Sequence, residues 1–268
     1  MRNFIREKKI YCGKEYMEVD IIPRSELQDK TVKGRRAKRK RESAPKQKNL
    51  NDKNTKRYLT QLANGNFGED DLHVTCTYSD KWLPGTVEEA EKEVTNFLRR
   101  ISHKRKSEGI ETLKYILVTE YSTDDENEDK PIRIHHHILM NKGISRDDIE
   151  GLWSKRKKKG QKKGERLGFI NADRLQPNEN GLEAISKYLT KGRSKKGKKK
   201  WSSSRNLIRP ESRTNDYKYS KRKVEIAAKE NDERFWEVNY PSYRITEVKK
   251  VYEELTGWHI YLKMWKKE

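Results

Sequence analysis

Along residues 71–79 the apolar positions Leu72, Val74, Cys76 and Tyr78 alternate with polar ones, a period of two that predicts a strand. Residues 113–119 (LKYILVT) read as a buried strand with Glu120 at its end, and residues 132–140 as another. The acidic loop 122–130 between them predicts an antiparallel hairpin. Elsewhere the period changes. Val87, Ala90, Val94, Phe97, Leu98 and Ile101 recur at helical spacing, Thr86 and Glu89 make a capping-box pair, and the helix should stop before Gly109. Ser145 is placed to cap a helix running to about Lys155, with Ile149 and Leu152 inward. A strand is expected over 168–175, and a helix over 181–191 with Leu182, Ile185 and Leu189 on one side.

The two ends of the chain are also patterned. Residues 9–12 and 16–22 are short β-like pieces joined at Gly13, and residues 54–62 can form a helix that ends near Asn64-Gly65. Residues 201–234 read as irregular, with a polar helix around 219–232. Residues 243–251 and 258–265 are rich in β-branched and aromatic side chains and look like a strand pair turned at Leu255-Thr256-Gly257. The division these patterns predict is an N-terminal β-like piece with a basic arm over 1–57, then one domain over 58–268 that includes the strand pair.

Charge adds a polyanion to this picture. Of 268 residues, 63 are Lys or Arg and 42 are Asp or Glu, a net charge of +21. Residues 33–48, 155–166 and 187–200 hold 25 of the basic and two of the acidic residues, so the rest of the chain is close to neutral. Such clustering is the footprint of a nucleic-acid binder. Two cysteines, Cys12 and Cys76, offer neither a CxxC metal site nor a disulfide framework, and the expected setting is the reducing cytoplasm of a bacterial host cell. No run approaches the ~18 apolar residues of a membrane helix, and no signal-peptide pattern opens the chain, so no membrane partner is expected. No Gly-x4-Gly-Lys-Ser/Thr sequence occurs, so no nucleotide-driven helicase domain is expected.

The candidate chemistry lies in His135-His136-His137. On a strand, His135 and His137 point one way and His136 the other, so His136 reads as structural. A hairpin would bring Glu120 beside the pair. One carboxylate and two imidazoles leave positions open for phosphate oxygens and water, as Mg²⁺ or Mn²⁺ prefer. A second element is Tyr188 with Lys191, three residues apart on the predicted helix and therefore on a shared face. A tyrosine hydroxyl can act as a covalent nucleophile, and a nearby ammonium favours its phenolate.

Together these pieces resemble the HUH endonuclease superfamily, and most closely the rolling-circle replication initiators (Rep proteins) of small phages, plasmids and integrated elements. Residues 72–78 (LHVTCTY) are similar to the family's first motif, an apolar strand. Residues 133–139 (RIHHHIL) are similar to the His-x-His metal motif, with His at the usually apolar middle position. Residues 188–191 (YLTK) are similar to the Tyr-x-x-Lys nucleophile motif, Glu120 to the carboxylate ligand of the preceding strand, and residues 200–207 (KWSSSRNL) to the pattern after the nucleophile helix.

The resemblance implies an α+β fold: a central antiparallel sheet of RNA-recognition-motif-like type, helices packed on it, basic loops and an arm. It implies Glu120, His135 and His137 as ligands of a divalent metal, Mg²⁺ or Mn²⁺, with Tyr188 and Lys191 as catalytic residues. It implies an enzyme that nicks and rejoins single-stranded origin DNA through a 5′-phosphotyrosine and primes a host polymerase, with a host helicase recruited. The basic loops are then expected to hold the DNA backbone through Lys155, Arg156, Lys157, Lys158, Lys162, Lys163, Arg193, Lys195, Lys196, Lys198, Lys199 and Arg205. Trp153, Trp201 and Tyr219 are candidates for base stacking. Three other readings compete: a non-catalytic regulator that binds nucleic acid, a relaxase, and a metal nuclease that uses water. A relaxase usually carries its tyrosine near the N-terminus, ahead of the histidines, whereas here the tyrosine follows them. Neither Tyr217 nor Tyr219 has a Lys three residues on.

Overall fold

Ten strands and seven helices form from these patterns. The computed structural model describes residues 3–29, 45–121, 133–157, 159–161, 164–191, 201–230 and 233–267. In chain order the strands are β1 (Asn3–Cys12), β2 (Tyr16–Ser25), β3 (Leu72–Cys76), β4 (Tyr115–Glu120), β5 (His135–Met140), β6 (Ile170–Arg174), β7 (Ser202–Ser203), β8 (Glu211–Asn215), β9 (Tyr243–Glu253) and β10 (Gly257–Lys266). The helices are α1 (Glu26–Asp29), α2 (Pro45–Asn64), α3 (Val87–Ser107), α4 (Arg146–Leu152), α5 (Glu183–Leu189), α6 (Lys221–Lys229) and α7 (Glu233–Asn239). The fold is α+β, with two antiparallel five-stranded sheets in the orders β8-β1-β2-β10-β9 and β6-β3-β5-β4-β7. Each sheet centres one unit: residues 1–66, 179–181 and 208–268 in the first, 67–178 and 182–207 in the second.

In the first unit, β2 is buried on both faces. Met17, Val19 and Ile21 pack with Ile5, Ile260, Leu262 and Met264 against Val224, Ala227 and Ala228 of α6 and Trp236 of α7. The alternate positions Tyr16, Glu18 and Asp20 are buried too, and they are satisfied from α2 and from within the strand. Arg57 Nε donates to Glu18 at 2.6 Å, its two terminal nitrogens donate to Asp20 at 3.1 and 2.6 Å, and Gln61 and Tyr16 also donate to Glu18. The β1–β2 turn uses Gly13 at φ +69°, where a Cβ would also sit 2.4 Å from the Gly65 carbonyl oxygen.

The structure groups the chain differently from a division at 57/58. The strand pair β9–β10 completes the sheet of the N-terminal hairpin: Ile260 pairs with Ile21, Leu262 with Val19 and Met264 with Met17. Matching apolar rows set this register between strands at opposite ends of the chain, and no local pattern displays such a match. Most of the basic run 33–48 lies outside the described residues.

In the second unit, Leu72, Val74, Cys76, Leu117, Ile138, Met140, Ile170 and Ala172 present one apolar face to Ala90, Val94, Phe97, Leu98 and Ile101 of α3 and Ile149 of α4. Burying each large aliphatic chain stabilises by about 1.5–3 kcal/mol before chain entropy is counted. The predicted cap of α3 forms: Thr86 Oγ1 accepts from the Glu89 N–H, while the Glu89 carboxylate reaches back to the Gly85 N–H. Past α3, buried Arg105 donates to the carbonyls of Glu111, Asn141 and Lys142 and ties the α3–β4 connection to the end of β5.

Two helices are shorter than their patterns suggested. α4 ends before Trp153, which is buried with its Nε1 donating to the Thr77 carbonyl at 2.8 Å. α5 ends at Leu189, and its cap residue Thr190 turns its hydroxyl back to the Ser186 carbonyl. Lys191 therefore lies beyond the helix and shares no helical face with Tyr188. No helix among the described residues is long and apolar enough to cross a membrane.

Candidate active site

Cross-strand pairing assembles the site. Residues directly opposite in an antiparallel ladder point to the same side. Glu120 pairs with His135 and Val118 with His137; Thr75 pairs with His137 and His73 with Leu139; Asn171 pairs with Thr75 and Asp173 with His73. The sheet face opposite α3 thus carries Glu120, His135, His137, His73, Thr75, Asn171 and Asp173.

The ligand atoms of Glu120, His135 and His137 lie within 4.8 Å of one another. Glu120 Oε2 is 3.1 Å from His135 Nε2 and 3.9 Å from His137 Nε2. Each imidazole is oriented from behind. His135 Nδ1 sits 2.8 Å from the Arg133 carbonyl, which can only accept, so Nδ1 carries the hydrogen. His137 Nδ1 lies 3.1 Å from His73 Nε2 and 3.3 Å from Thr75 Oγ1. That leaves His137 Nε2 buried without a hydrogen-bond partner.

The electrostatics of the three groups agree with a ligand set. Burial, reinforced by the neighbouring His135 and His73, pushes His137 down to about 4, so its imidazole is neutral. The Glu120 hydrogen bond holds His135 above its ordinary value against burial. Glu120 is held below the usual carboxylate range, first by His135, then by the fields of His137, His135 and Lys191. A neutral imidazole with an orphaned buried nitrogen, a second imidazole and an ionised carboxylate form a donor set that fits a divalent cation.

His136 points to the other face. Its Nε2 is 2.8 Å from the Tyr78 hydroxyl and its Nδ1 2.9 Å from Thr119 Oγ1. Burial pushes it down to about 3, so it stays neutral and pins β4 to the end of β3.

The Tyr188 ring stands against the cluster. Its centroid is 5.5 Å from that of His137 at 81°, and the side chain is 52% exposed. Lys191 is exposed, and its charge reaches Glu120.

The other expected positions divide. Arg156, Lys157 and Arg205 are exposed, and Trp201 is half-buried. Lys155 is ion-paired with Glu93 at 2.7 Å and lies over the Trp82 ring. Lys158, Lys162, Lys163, Arg193, Lys195, Lys196, Lys198 and Lys199 lie outside the described residues. Two stacking candidates are corrected, because Trp153 and Tyr219 are both buried. Trp153 packs with Phe97 and Tyr78 on the α3 side, and Tyr219 packs with Phe235 and Trp236 in the first unit. Sequence reasoning missed His73 and Thr75 as neighbours of the ligands. Their signal was present, since they are the polar positions that alternate with Leu72, Val74 and Cys76.

The fold and this cluster point to the replication-associated class of proteins. Residues 71–193 match the family model for Replication-associated protein ORF2. The match agrees with the resemblance to rolling-circle initiators, and it spans β3, the Glu120–His135–His137 cluster, Tyr188 and Lys191. No curated protein and no solved structure matches the chain.

Proposed function

We propose that the protein is a replication initiator that nicks and rejoins single-stranded DNA at an origin through a 5′-phosphotyrosine on Tyr188. The observation that carries this reading is the Tyr188 ring set against His137 of the ligand cluster. Mg²⁺ or Mn²⁺ held by Glu120, His135 and His137 would polarise the scissile phosphate and stabilise the charge that develops on it. The Tyr188 hydroxyl gives up its proton and attacks phosphorus in line, the bond to the 3′ oxygen breaks, and a 3′-hydroxyl departs. That hydroxyl primes a host polymerase, with unwinding left to a host helicase. The reverse attack restores the phosphodiester, so the link conserves the bond energy and no ATP is consumed. Lys191 supplies positive charge beside Glu120 and Tyr188. The basic loops hold the strand by its phosphates.

The test is a covalent adduct. The protein and its Tyr188→Phe variant are incubated with 3′-labelled single-stranded DNA from the parent element, with Mn²⁺ or with chelator. A protein-linked band that requires both metal and Tyr188 is expected. Cleavage without an adduct would indicate a nuclease using water. Binding without cleavage on origin DNA would indicate a regulator.

A further inference from the structure

Among the described residues of the second unit, two aromatic side chains are exposed: Tyr188 at 52% and Phe169 at 70%. Phe169 also belongs to the ligand-bearing face. Ile170 and Ala172 pack toward α3, so strand alternation turns Asn171 and Phe169 the other way. The Thr77 N–H donates to the Phe169 carbonyl at 2.8 Å, and Thr77 Oγ1 donates to the same oxygen at 3.0 Å. The β3–β6 ladder therefore continues one step beyond Cys76 and Ile170 and sets Phe169 opposite Thr77. Gly168 permits this approach, since a Cβ there would lie 2.4 Å from the Thr77 carbonyl oxygen.

The same step along β3 and β5, past Thr75 and His137, brings Thr77 level with His135. Phe169, Thr77, His135 and Glu120 then form one row across the sheet, with Phe169 two strands, or about 10 Å, from His135. A single exposed apolar side chain is ordinary on a protein surface. This one shares a face with the ligand cluster and with the polar side chains of Thr75, Asn171 and Asp173.

We propose that Phe169 is a stacking platform for one base of the single-stranded DNA whose phosphate is engaged at Glu120, His135 and His137; the proposal rests on the function inferred above. An aromatic face holds any base by its π-surface and needs no base-edge readout. The platform fixes the path of the strand: it crosses the sheet from β5 over Thr75 and Thr77 to β6.

The experiment titrates the full chain, Phe169→Ala and Phe169→Trp, in chelator at fixed salt. The probes are a labelled thymidine oligomer and an abasic-analogue oligomer of the same length and charge. Phe169→Ala is expected to weaken binding of the thymidine oligomer about 5- to 150-fold. Binding of the abasic oligomer should be unchanged, and Phe169→Trp should restore the preference. Equal affinity of wild type and Phe169→Ala for the thymidine oligomer, or an equal loss on both oligomers, would overturn the platform. So would a lowered unfolding midpoint in Phe169→Ala, which would make the residue structural. The Tyr188 adduct assay on the same preparation separates the two ideas. An adduct without Phe169-dependent binding removes the platform alone. Phe169-dependent binding without any adduct removes the nicking chemistry and leaves a base-stacking site.

Discussion

Both sheets bury ionisable side chains, but they treat them differently. In the first unit, both carboxylate oxygens of Glu18 and both of Asp20 have donors, and burial of Arg57 is outweighed by its hydrogen bonds to Asp20 and the fields of Glu18 and Asp20, which hold it above its ordinary value. Glu7 is closed in the same way by Lys218 at 2.8 Å and the Tyr240 hydroxyl at 2.5 Å. In the second unit, His137 Nε2 is buried and has no partner, and one oxygen of Glu120 faces two imidazoles. A closed network fixes a fold, whereas an open one retains binding capacity. Buried polar atoms are nearly always satisfied, so an orphan inside a cluster of metal-type donors marks where a ligand belongs.

The sharpest break of this contrast is Tyr188→Phe. The adduct should fall to background on denaturing gels while the unfolding midpoint stays within error, because the Tyr188 side chain is half exposed. An adduct that survives would move the nucleophile elsewhere. Next come two crossed substitutions. Arg57→Ala should destabilise by about 3 kcal/mol in urea, the lower end for breaking a buried pair because Arg57 is partly exposed, and should leave Mn²⁺ affinity unchanged. His135→Ala should do the reverse, removing the rise in melting temperature that Mn²⁺ produces in the wild type while leaving the metal-free midpoint nearly unmoved. If Arg57→Ala weakened Mn²⁺ binding as much as His135→Ala, the contrast between closed and open networks would fail.

A smaller effect is expected at His73, which lies behind His137. His73→Ala should weaken Mn²⁺ binding about 10- to 100-fold by calorimetry, as for other groups that orient a ligating histidine. An unchanged affinity would leave Thr75 as the sole orienting partner. The smallest effects belong to the loop cations. Arg156→Gln and Lys157→Gln should each lower the salt slope of single-strand binding by about 0.7. Lys155→Gln should lower it less, since its ammonium is held by Glu93.

Much of the second unit could be read from the chain because its signals are local. The β4–β5 hairpin follows from two apolar runs, and once it forms, alternation alone puts Glu120, His135 and His137 together and sends His136 away. The capped helix α3 was equally plain. What the sequence hid was non-local. Glu18 and Asp20 looked like solvent-facing positions of a hairpin, yet α2 covers them, and only the placement of Arg57 explains why. Trp153 and Tyr219 looked available for stacking because aromatic residues beside basic loops suggest DNA, but burial depends on what packs over them. Phe169 passed unnoticed because a single aromatic at a strand end carries no periodicity.

The place of β10 in the first sheet has a consequence for biosynthesis. β2 is the middle strand of that sheet, yet its partner β10 is the last strand to leave the ribosome. All five strands of the second sheet emerge before β8. During translation the edge of β2, with Met17, Val19 and Ile21 along it, must wait unpaired. A chain that stopped short of residue 257 would keep every residue of the replication-associated match and still carry an open, apolar edge prone to self-association.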